Sequence, residues 1–113
     1  KVVTSLASFG LAFSGMPAHA DYSCSVKITA ILVYADGTVS VNHTGRNDYT
    51  NICNINQAWQ SVSPNVCATW TATLNQIKRI NGNATFYYSG TSNCAALPTY
   101  GNSIAPVYVG YTP

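Results

Sequence analysis

Few side chains in this sequence could take part in catalysis. Its acids are Asp21, Asp36 and Asp48, it contains no Glu, and its histidines are His19 and His43. His43, Asp48 and a serine could supply a nucleophilic triad, but no G-x-S-x-G or CGSC-type context accompanies them. Hydrolysis by paired carboxylates needs two acids that face one bond, and Asp36 stands in a turn sequence. The sequence therefore predicts no enzyme, and His43 is expected to be an ordinary surface histidine.

The charged residues also argue against a nucleic-acid partner. The chain has five Lys and Arg residues, and only Lys78 and Arg79 are adjacent. A basic groove for nucleic acid needs clustered cations. Low charge with eight Tyr is instead typical of surfaces that contact neighbouring proteins or neutral polar ligands such as sugars, because tyrosine combines an apolar ring with a hydroxyl. Composition leaves both of those partners open.

The four cysteines indicate a disulfide framework. They are Cys24, Cys53, Cys67 and Cys94. An even number of cysteines in a small exported chain predicts two disulfides, for which three pairings are possible. No two of them form a C-x-x-C pair, so the sequence predicts no metal site, and it indicates no cofactor.

The first twenty residues resemble an export signal. A lysine precedes an apolar run, and Ala18-His19-Ala20 has the small-x-small pattern that precedes a cleavage site. The run is too short to predict a membrane span. We therefore expect residues 1–20 to be a signal peptide, residues 21–113 to be one domain, and the protein to be secreted or periplasmic.

Alternation of apolar and polar residues predicts five strands. They cover residues 25–34, 39–43, 49–55, 83–88 and 107–111. The first two should form a hairpin, because Asp36-Gly37 between them is a strong turn signal. Each tyrosine of the Tyr87-Tyr88 pair should point to a different face of its strand, and Tyr88 is expected to point outward.

One helix is expected between the third and fourth strands. Ser63 is a suitable N-cap and Pro64 suits the first turn. An apolar stripe follows at Val66, Trp70, Leu74 and Ile77. Gly82 should end the helix. The order β-β-β-α-β-β predicts an α+β fold, a small and partly closed antiparallel barrel with the helix at one end.

These features resemble the receptor-binding B subunits of AB-type bacterial toxins, in the subtilase cytotoxin and pertussis-like branch. The resemblance rests on an early CSVKIT strand, on cysteines fourteen residues apart, on one amphipathic helix and on a strand that ends in Tyr-Tyr. Stretches 46–53 and 97–101 also resemble uncharacterised small exported proteins of gammaproteobacteria.

The toxin resemblance implies an oligonucleotide/oligosaccharide-binding (OB) type of barrel, a ring of five subunits and sugar recognition without catalysis. It places Tyr88 in the glycan pocket, together with a first-strand serine whose position falls on Cys24, between Ser23 and Ser25. We predict a disulfide between Cys53 and Cys67, the two cysteines included in the resemblance, and one between Cys24 and Cys94, which are extra relative to that family.

The function predicted from the sequence is a non-enzymatic glycan-binding module that self-associates, and the toxin resemblance implies a pentamer. Its ligand site would combine Tyr88, Ser23 and Ser25 with Arg46 and Tyr49 of a polar loop, where Arg46 could meet an acidic sugar such as sialic acid. The alternative is an exported structural or inhibitory protein that binds a protein partner through its Tyr-rich strands.

Overall fold

The computed structural model describes residues 20–113, so residues 1–19 of the expected signal peptide lie outside the described part. The described chain contains six strands and one α-helix. The strands are β1 (Tyr22–Val26), β2 (Ile28–Val33), β3 (Thr38–His43), β4 (Tyr49–Asn54), β5 (Ala84–Tyr88) and β6 (Tyr108–Tyr111). The helix, α1, is Pro64–Arg79, and a short 3-10 turn covers Cys94–Ala96.

The strands form two three-stranded antiparallel sheets, in the orders β1-β5-β6 and β2-β3-β4. The expected single strand at residues 25–34 is therefore wrong in its bounds. The chain switches sheets at Lys27, so that β1 pairs with β5 and β2 pairs with β3. The sheets do not close into a barrel within the described residues. The α+β class and the antiparallel pairing agree with the sequence prediction.

The hairpin between β2 and β3 is confirmed. The Tyr34 amide donates to the Thr38 carbonyl over 2.8 Å, and the Gly37 amide donates to the Tyr34 carbonyl over 2.9 Å. Gly37 has a φ of 94°, a conformation that glycine adopts without steric cost. The Asp36 carboxylate accepts from the Thr38 amide, which lowers the pKa of Asp36 and accounts for its turn position.

Helix α1 begins and ends through local hydrogen bonds. The Ser63 hydroxyl accepts from the Val66 amide over 3.2 Å, which confirms the predicted N-cap. At the other end Asn81, with a φ of 54°, takes the left-handed conformation that was expected of Gly82. Lys27, at the junction of β1 and β2, donates from its Nζ to the Asn81 carbonyl, so a cation lies beside the negative end of the helix dipole.

The helix packs against β2, β4 and β6, and its buried residues are Cys67, Trp70, Leu74 and Ile77. Trp70 and Leu74 are thus core residues, as predicted. Val66, the first member of the expected stripe, is instead 42% exposed, and the neighbouring Cys67 is buried in its place. The disulfide accounts for this shift, because it attaches position 67 to β4.

Two disulfides join elements that are distant in sequence, and their pairing confirms the prediction. Cys53 of β4 is bonded to Cys67 of α1, with Cα atoms 5.5 Å apart. Cys24 of β1 is bonded to Cys94 in the 3-10 turn, with Cα atoms 5.7 Å apart. All four cysteines therefore form disulfides, and the long segment between β5 and β6 is held against β1.

The segment between β5 and β6 also covers the outer edge of β4. Residues 98–103 lie along the outer edge of β4, where the Tyr100 amide donates to the Tyr49 carbonyl over 3.1 Å. Asn51 donates from its amide to Ser103 Oγ and from its side chain to the Tyr100 carbonyl. These bonds satisfy backbone groups that would otherwise be open for pairing with another chain. In the part of the chain that the structure describes, no helix is long and apolar enough to cross a membrane.

Candidate functional site

The outer face of the β1-β5-β6 sheet carries a row of hydroxyl groups. Antiparallel register places Ser23 opposite Tyr87 and Tyr87 opposite Tyr108, and it places Ser25 opposite Thr85. Directly paired residues share one face of a sheet, so these five side chains project from the same side. We call this surface the hydroxyl face; it consists of Ser23, Ser25, Thr85, Tyr87 and Tyr108, of which Thr85 is buried and has its hydroxyl bonded to that of Thr112. It contains both serines of the predicted ligand site.

Two parallel tyrosine rings form the aromatic part of the hydroxyl face. The Tyr87 and Tyr108 rings are stacked, with centroids 4.9 Å apart and an interplanar angle of 1°. Tyr87 donates from its hydroxyl to Asp21 Oδ2 over 2.7 Å. This hydrogen bond, with some burial, raises the pKa of Tyr87. Asp21 also accepts from the Gly90 amide, so a carboxylate is held beside the rings.

Tyr88 does not face outward, so that part of the sequence prediction is wrong. Its side chain is fully buried and stacks on Tyr22, the residue opposite it on β1, with centroids 5.4 Å apart. Burial raises the pKa of Tyr88 far above its ordinary value. Its hydroxyl has no hydrogen-bond partner among the described residues. Tyr88 is a core residue in this structure, and Tyr87 takes the outward position.

Tyr22 shows the same enclosure at its hydroxyl. That oxygen is buried and forms no hydrogen bond of ordinary geometry with the described residues. Burial raises the pKa of Tyr22, and the nearby Ser92 side chain offsets part of this increase. The two tyrosines thus form an internal stacked pair below the hydroxyl face.

Arg46 and Tyr49 lie in a second polar cluster, formed by the loop before β4 and the segment that covers its edge. Arg46 donates from Nε to the Leu97 carbonyl over 2.7 Å, so its guanidinium is partly engaged by the protein itself. The Tyr49 ring is tilted against Tyr100, with centroids 6.4 Å apart. Tyr100 donates from its hydroxyl to Asp48 Oδ1 over 2.8 Å.

Asp48 supplies a carboxylate to this second cluster. Hydrogen bonds from the Tyr49 amide and the Tyr100 hydroxyl lower the pKa of Asp48, and the Arg46 charge contributes to the same effect. The bond to Asp48 raises the pKa of Tyr100. Arg46 therefore lies near an ionised carboxylate, and its Nε is already engaged by the Leu97 carbonyl.

The five predicted ligand residues do not form one pocket. Ser23 and Ser25 lie on the hydroxyl face, Tyr88 lies beneath it, and Arg46 and Tyr49 belong to the second cluster. The segment from Cys94 to Tyr100 connects the two regions, through the disulfide to β1 at one end and the contacts with the β4 loop at the other.

His43 is not the surface histidine that the sequence suggested. Its side chain has no exposed area, and its ring lies against Phe86 with centroids 5.1 Å apart. Nδ1 accepts from the Gly45 amide over 3.1 Å, so the neutral ring carries its proton on Nε2, which has no partner among the described residues. Burial lowers the pKa of His43 to about 4. The ring is enclosed in the core.

Sequence reasoning missed Tyr87 and Tyr108, although a signal for Tyr87 was present. Phe86 and Tyr88 stand two residues apart and therefore share a face, and a fully apolar Phe indicates that this face is the buried one. The residue between them must then point outward. Tyr108 could be added only once the pairing of β6 with β5 was known.

The described residues contain no group of three His, Cys, Asp or Glu side chains that could hold a metal ion. No protein-family model, curated protein or solved structure matches the chain. The arrangement of its side chains is therefore the basis for a functional proposal.

Proposed function

We propose that this chain is an exported, non-enzymatic binding module that recognises a glycan on its hydroxyl face and self-associates. The observation that carries the proposal is the row of Ser23, Tyr87 and Tyr108 across three adjacent strands, with two tyrosine rings stacked in parallel. Tyrosine rings offer apolar surfaces for the C–H faces of sugars, and the surrounding hydroxyls can both donate and accept hydrogen bonds.

The charge near the hydroxyl face favours a neutral sugar. Asp21 holds a carboxylate beside Tyr87, and removal of residues 1–20 would place the α-amino group of the same residue next to it, so the site offers an acidic group no net positive charge. Arg46, the residue first expected to meet a sialic acid, lies in the other cluster beside ionised Asp48. A sialylated ligand remains the second choice, and the experiment below separates it from a neutral one.

The fold supports this proposal through the corner between its first two strands. In many β-structures a strand that passes from one sheet to the next forms the corner of a barrel or sandwich. Here β1 and β2 form such a corner at Lys27, in keeping with a partly open OB-like barrel, a fold that often binds oligosaccharides. The receptor-binding role implied by the resemblance to toxin B subunits is part of the same proposal.

The two disulfides support an exported location, secreted or periplasmic, because disulfides form and persist in oxidising compartments. Enclosure of His43 in the core supports a role without catalysis.

A glycan array on the oxidised protein tests the proposal. Tyr87→Ala removes half of the aromatic pair and should weaken binding roughly tenfold, about 1.4 kcal/mol. Tyr88→Phe is the matched control, because it removes a buried hydroxyl that has no partner among the described residues; it should leave binding unchanged and should not lower the melting temperature. Binding should be stronger to neutral glycans than to their sialylated forms.

The results of the array distinguish the glycan proposal from its alternatives. Absence of binding to every glycan by the folded wild type would end the glycan proposal. If Tyr88→Phe lowered binding more than Tyr87→Ala, the ligand would reach the buried tyrosine pair instead. A preference for sialylated glycans that Arg46→Ala abolished would transfer the site to the second cluster.

The alternative function, binding of a protein partner through Tyr-rich strands, has one specific observation in its favour. Large apolar side chains are exposed along β2 and its turn and along β6: Leu32, Val33, Tyr34, Tyr108 and Tyr111. Co-purification of a partner protein at stoichiometric amounts, together with a negative glycan array, would favour this alternative.

A further inference from the structure

The loop before β4 carries two opposite charges that do not pair with each other. Arg46 and Asp48 stand two positions apart, and they form no ion pair in the part of the chain that the structure describes. The Arg46 charge nevertheless reaches Asp48, because it helps to lower the pKa of that carboxyl. The two charges are therefore close without neutralising each other. Such a pair suits a small molecule that itself carries both a cation and an anion.

Each of the two charged groups is held by one of its atoms and keeps another available. Arg46 uses Nε for the Leu97 carbonyl, and its terminal nitrogens donate to none of the described residues. In Asp48, Oδ1 accepts the Tyr49 amide and the Tyr100 hydroxyl, each over 2.8 Å. Oδ2 accepts from none of the described residues. Both side chains are partly exposed, so a ligand can reach the terminal nitrogens and the second carboxylate oxygen.

Two tyrosine rings stand beside the carboxylate. The Tyr49 and Tyr100 rings are inclined by 46°, with centroids 6.4 Å apart. Tyr100 is 49% exposed, and its hydroxyl is the group that donates to Asp48. Aromatic faces attract quaternary ammonium groups through the ring quadrupole, and a neighbouring carboxylate adds a full negative charge. This half of the cluster is therefore suited to an alkylated ammonium group.

Backbone hydrogen bonds hold the cluster in place. The Tyr100 amide donates to the Tyr49 carbonyl over 3.1 Å, and Asn51 donates from its side chain to the Tyr100 carbonyl over 2.9 Å. In the loop before β4, the Asn47 amide donates to the His43 carbonyl over 2.8 Å. A site that is already ordered loses little conformational entropy when it binds a ligand.

We propose that the second cluster is a binding site for phosphocholine. The quaternary ammonium lies against the two tyrosine rings beside Asp48, and the phosphate accepts hydrogen bonds from the terminal nitrogens of Arg46. Guanidinium groups bind phosphate oxygens through paired, charge-assisted hydrogen bonds. Phosphocholine carries its two charges on one short chain, so it can meet both groups of the loop at once. The site is separate from the hydroxyl face, and the inference goes beyond the proposed function.

The two charges together argue against simpler ligands. A single cation, such as a lysine side chain of a partner protein, would be repelled by Arg46. A single anion would be repelled by Asp48. A zwitterion meets each charge with its opposite, and a quaternary ammonium is the cation that aromatic rings recognise best. Phosphocholine combines these two properties.

Isothermal titration calorimetry of the full oxidised protein with phosphocholine, choline and inorganic phosphate tests the proposal. Phosphocholine should bind roughly tenfold more tightly than choline or phosphate alone. Asp48→Asn keeps an oxygen that can accept both hydrogen bonds and removes only the charge, so it should weaken phosphocholine and choline binding alike, by roughly tenfold. Arg46→Gln should weaken phosphocholine binding to a similar extent and leave choline binding undiminished, because it removes only the cation.

The matched control is Asp36→Asn. Asp36 is also a hydrogen-bonded carboxylate with a lowered pKa, but it lies in the turn between β2 and β3. This variant should bind all three compounds like the wild type. Sedimentation with lipid vesicles then identifies the source of the ligand. Binding to phosphatidylcholine vesicles supports a membrane lipid, and binding of the soluble compound alone supports a soluble source; equal binding to phosphatidylglycerol vesicles would count against the site.

Two calorimetric results would overturn the inference. One is a folded wild type that does not bind phosphocholine, and the other is equal binding of choline and phosphocholine that Arg46→Gln does not change. Should a variant fail to fold, NMR of the wild type decides the question: phosphocholine must shift the ring resonances of Tyr49 and Tyr100, and unshifted rings would refute the site. No glycan is present in these titrations, so their failure is distinct from failure of the glycan proposal.

Discussion

Protonation of the buried His43 should destabilise the domain in acid. In the folded state burial lowers the pKa of His43 to about 4 from an ordinary value of 6.5. The enclosed ring contacts Phe86, and its Nδ1 accepts the Gly45 amide, an arrangement that suits only the neutral form. Desolvation accounts for the lowered pKa, and no charged side chain contributes to it.

The sign of the effect follows from proton binding. Between pH 6.5 and about 4 the unfolded chain holds a proton on His43 that the folded chain does not. The free energy of unfolding must therefore increase with pH over this window. The contribution is fully present above pH 6.5 and is lost as the pH falls to about 4. At 1.36 kcal/mol per pH unit, its full size is about 3 kcal/mol.

Urea unfolding, monitored by tryptophan fluorescence at several pH values in this window, measures the effect. His43→Gln is the matched variant, because glutamine stays neutral and can still accept the Gly45 amide. The variant will have its own constant loss of stability, so the comparison concerns the slope with pH. Asp36 and Asp48, whose pKa values are lowered, are present in both proteins and cancel in the difference.

Wild type should lose about 3 kcal/mol more than the variant between pH 6.5 and 4. Equal slopes for the two proteins would refute the reasoning, since they would mean that His43 titrates alike in the folded and unfolded states.

Two further predictions concern the stability of the domain. Trp70→Ala should cost roughly 2–5 kcal/mol in the free energy of unfolding, because it opens a cavity beneath the sheets. Val66→Ala, at an exposed position, should change the free energy of unfolding by less than about 0.5 kcal/mol, and equal melting temperatures for the two variants would contradict this. On the chain-entropy estimate, replacing the Cys24–Cys94 pair by serine should cost about 4 kcal/mol and replacing Cys53–Cys67 about 3 kcal/mol, because the first closes a longer loop. Denaturant unfolding of the two double variants measures the order, and a larger loss from the shorter loop would contradict the estimate.

Local patterns in the sequence were sufficient for most of the secondary structure. The Asp36-Gly37 turn, the Ser63 N-cap and the spacing of Trp70, Leu74 and Ile77 each depend on residues within a few positions of one another, so they could be identified without the fold. The disulfide pairing was also predicted correctly, although composition left three pairings open and the family resemblance included only Cys53 and Cys67.

The break at Lys27 could not be predicted in the same way. Residues 25–34 alternate like one strand, and nothing within them shows that their two halves pair with β5 and β3 in different sheets. Strand pairing depends on residues far along the chain, whose approach is settled by the packing of the whole domain. The misplacement of Tyr88 has a different cause, because the local alternation with Phe86 already indicated that Tyr88 shares the buried face.

The sequence by itself determined the fold class, the helix, the turn and the supply of uncharged hydroxyl and aromatic side chains, since these follow from composition and short-range periodicity. Only the tertiary structure decided which of those side chains meet. Register placed Tyr87 with Ser23 and Tyr108 and enclosed Tyr88, while packing of the two sheets buried His43. Sites form between residues distant in sequence, and their contacts exist only after the strands have paired.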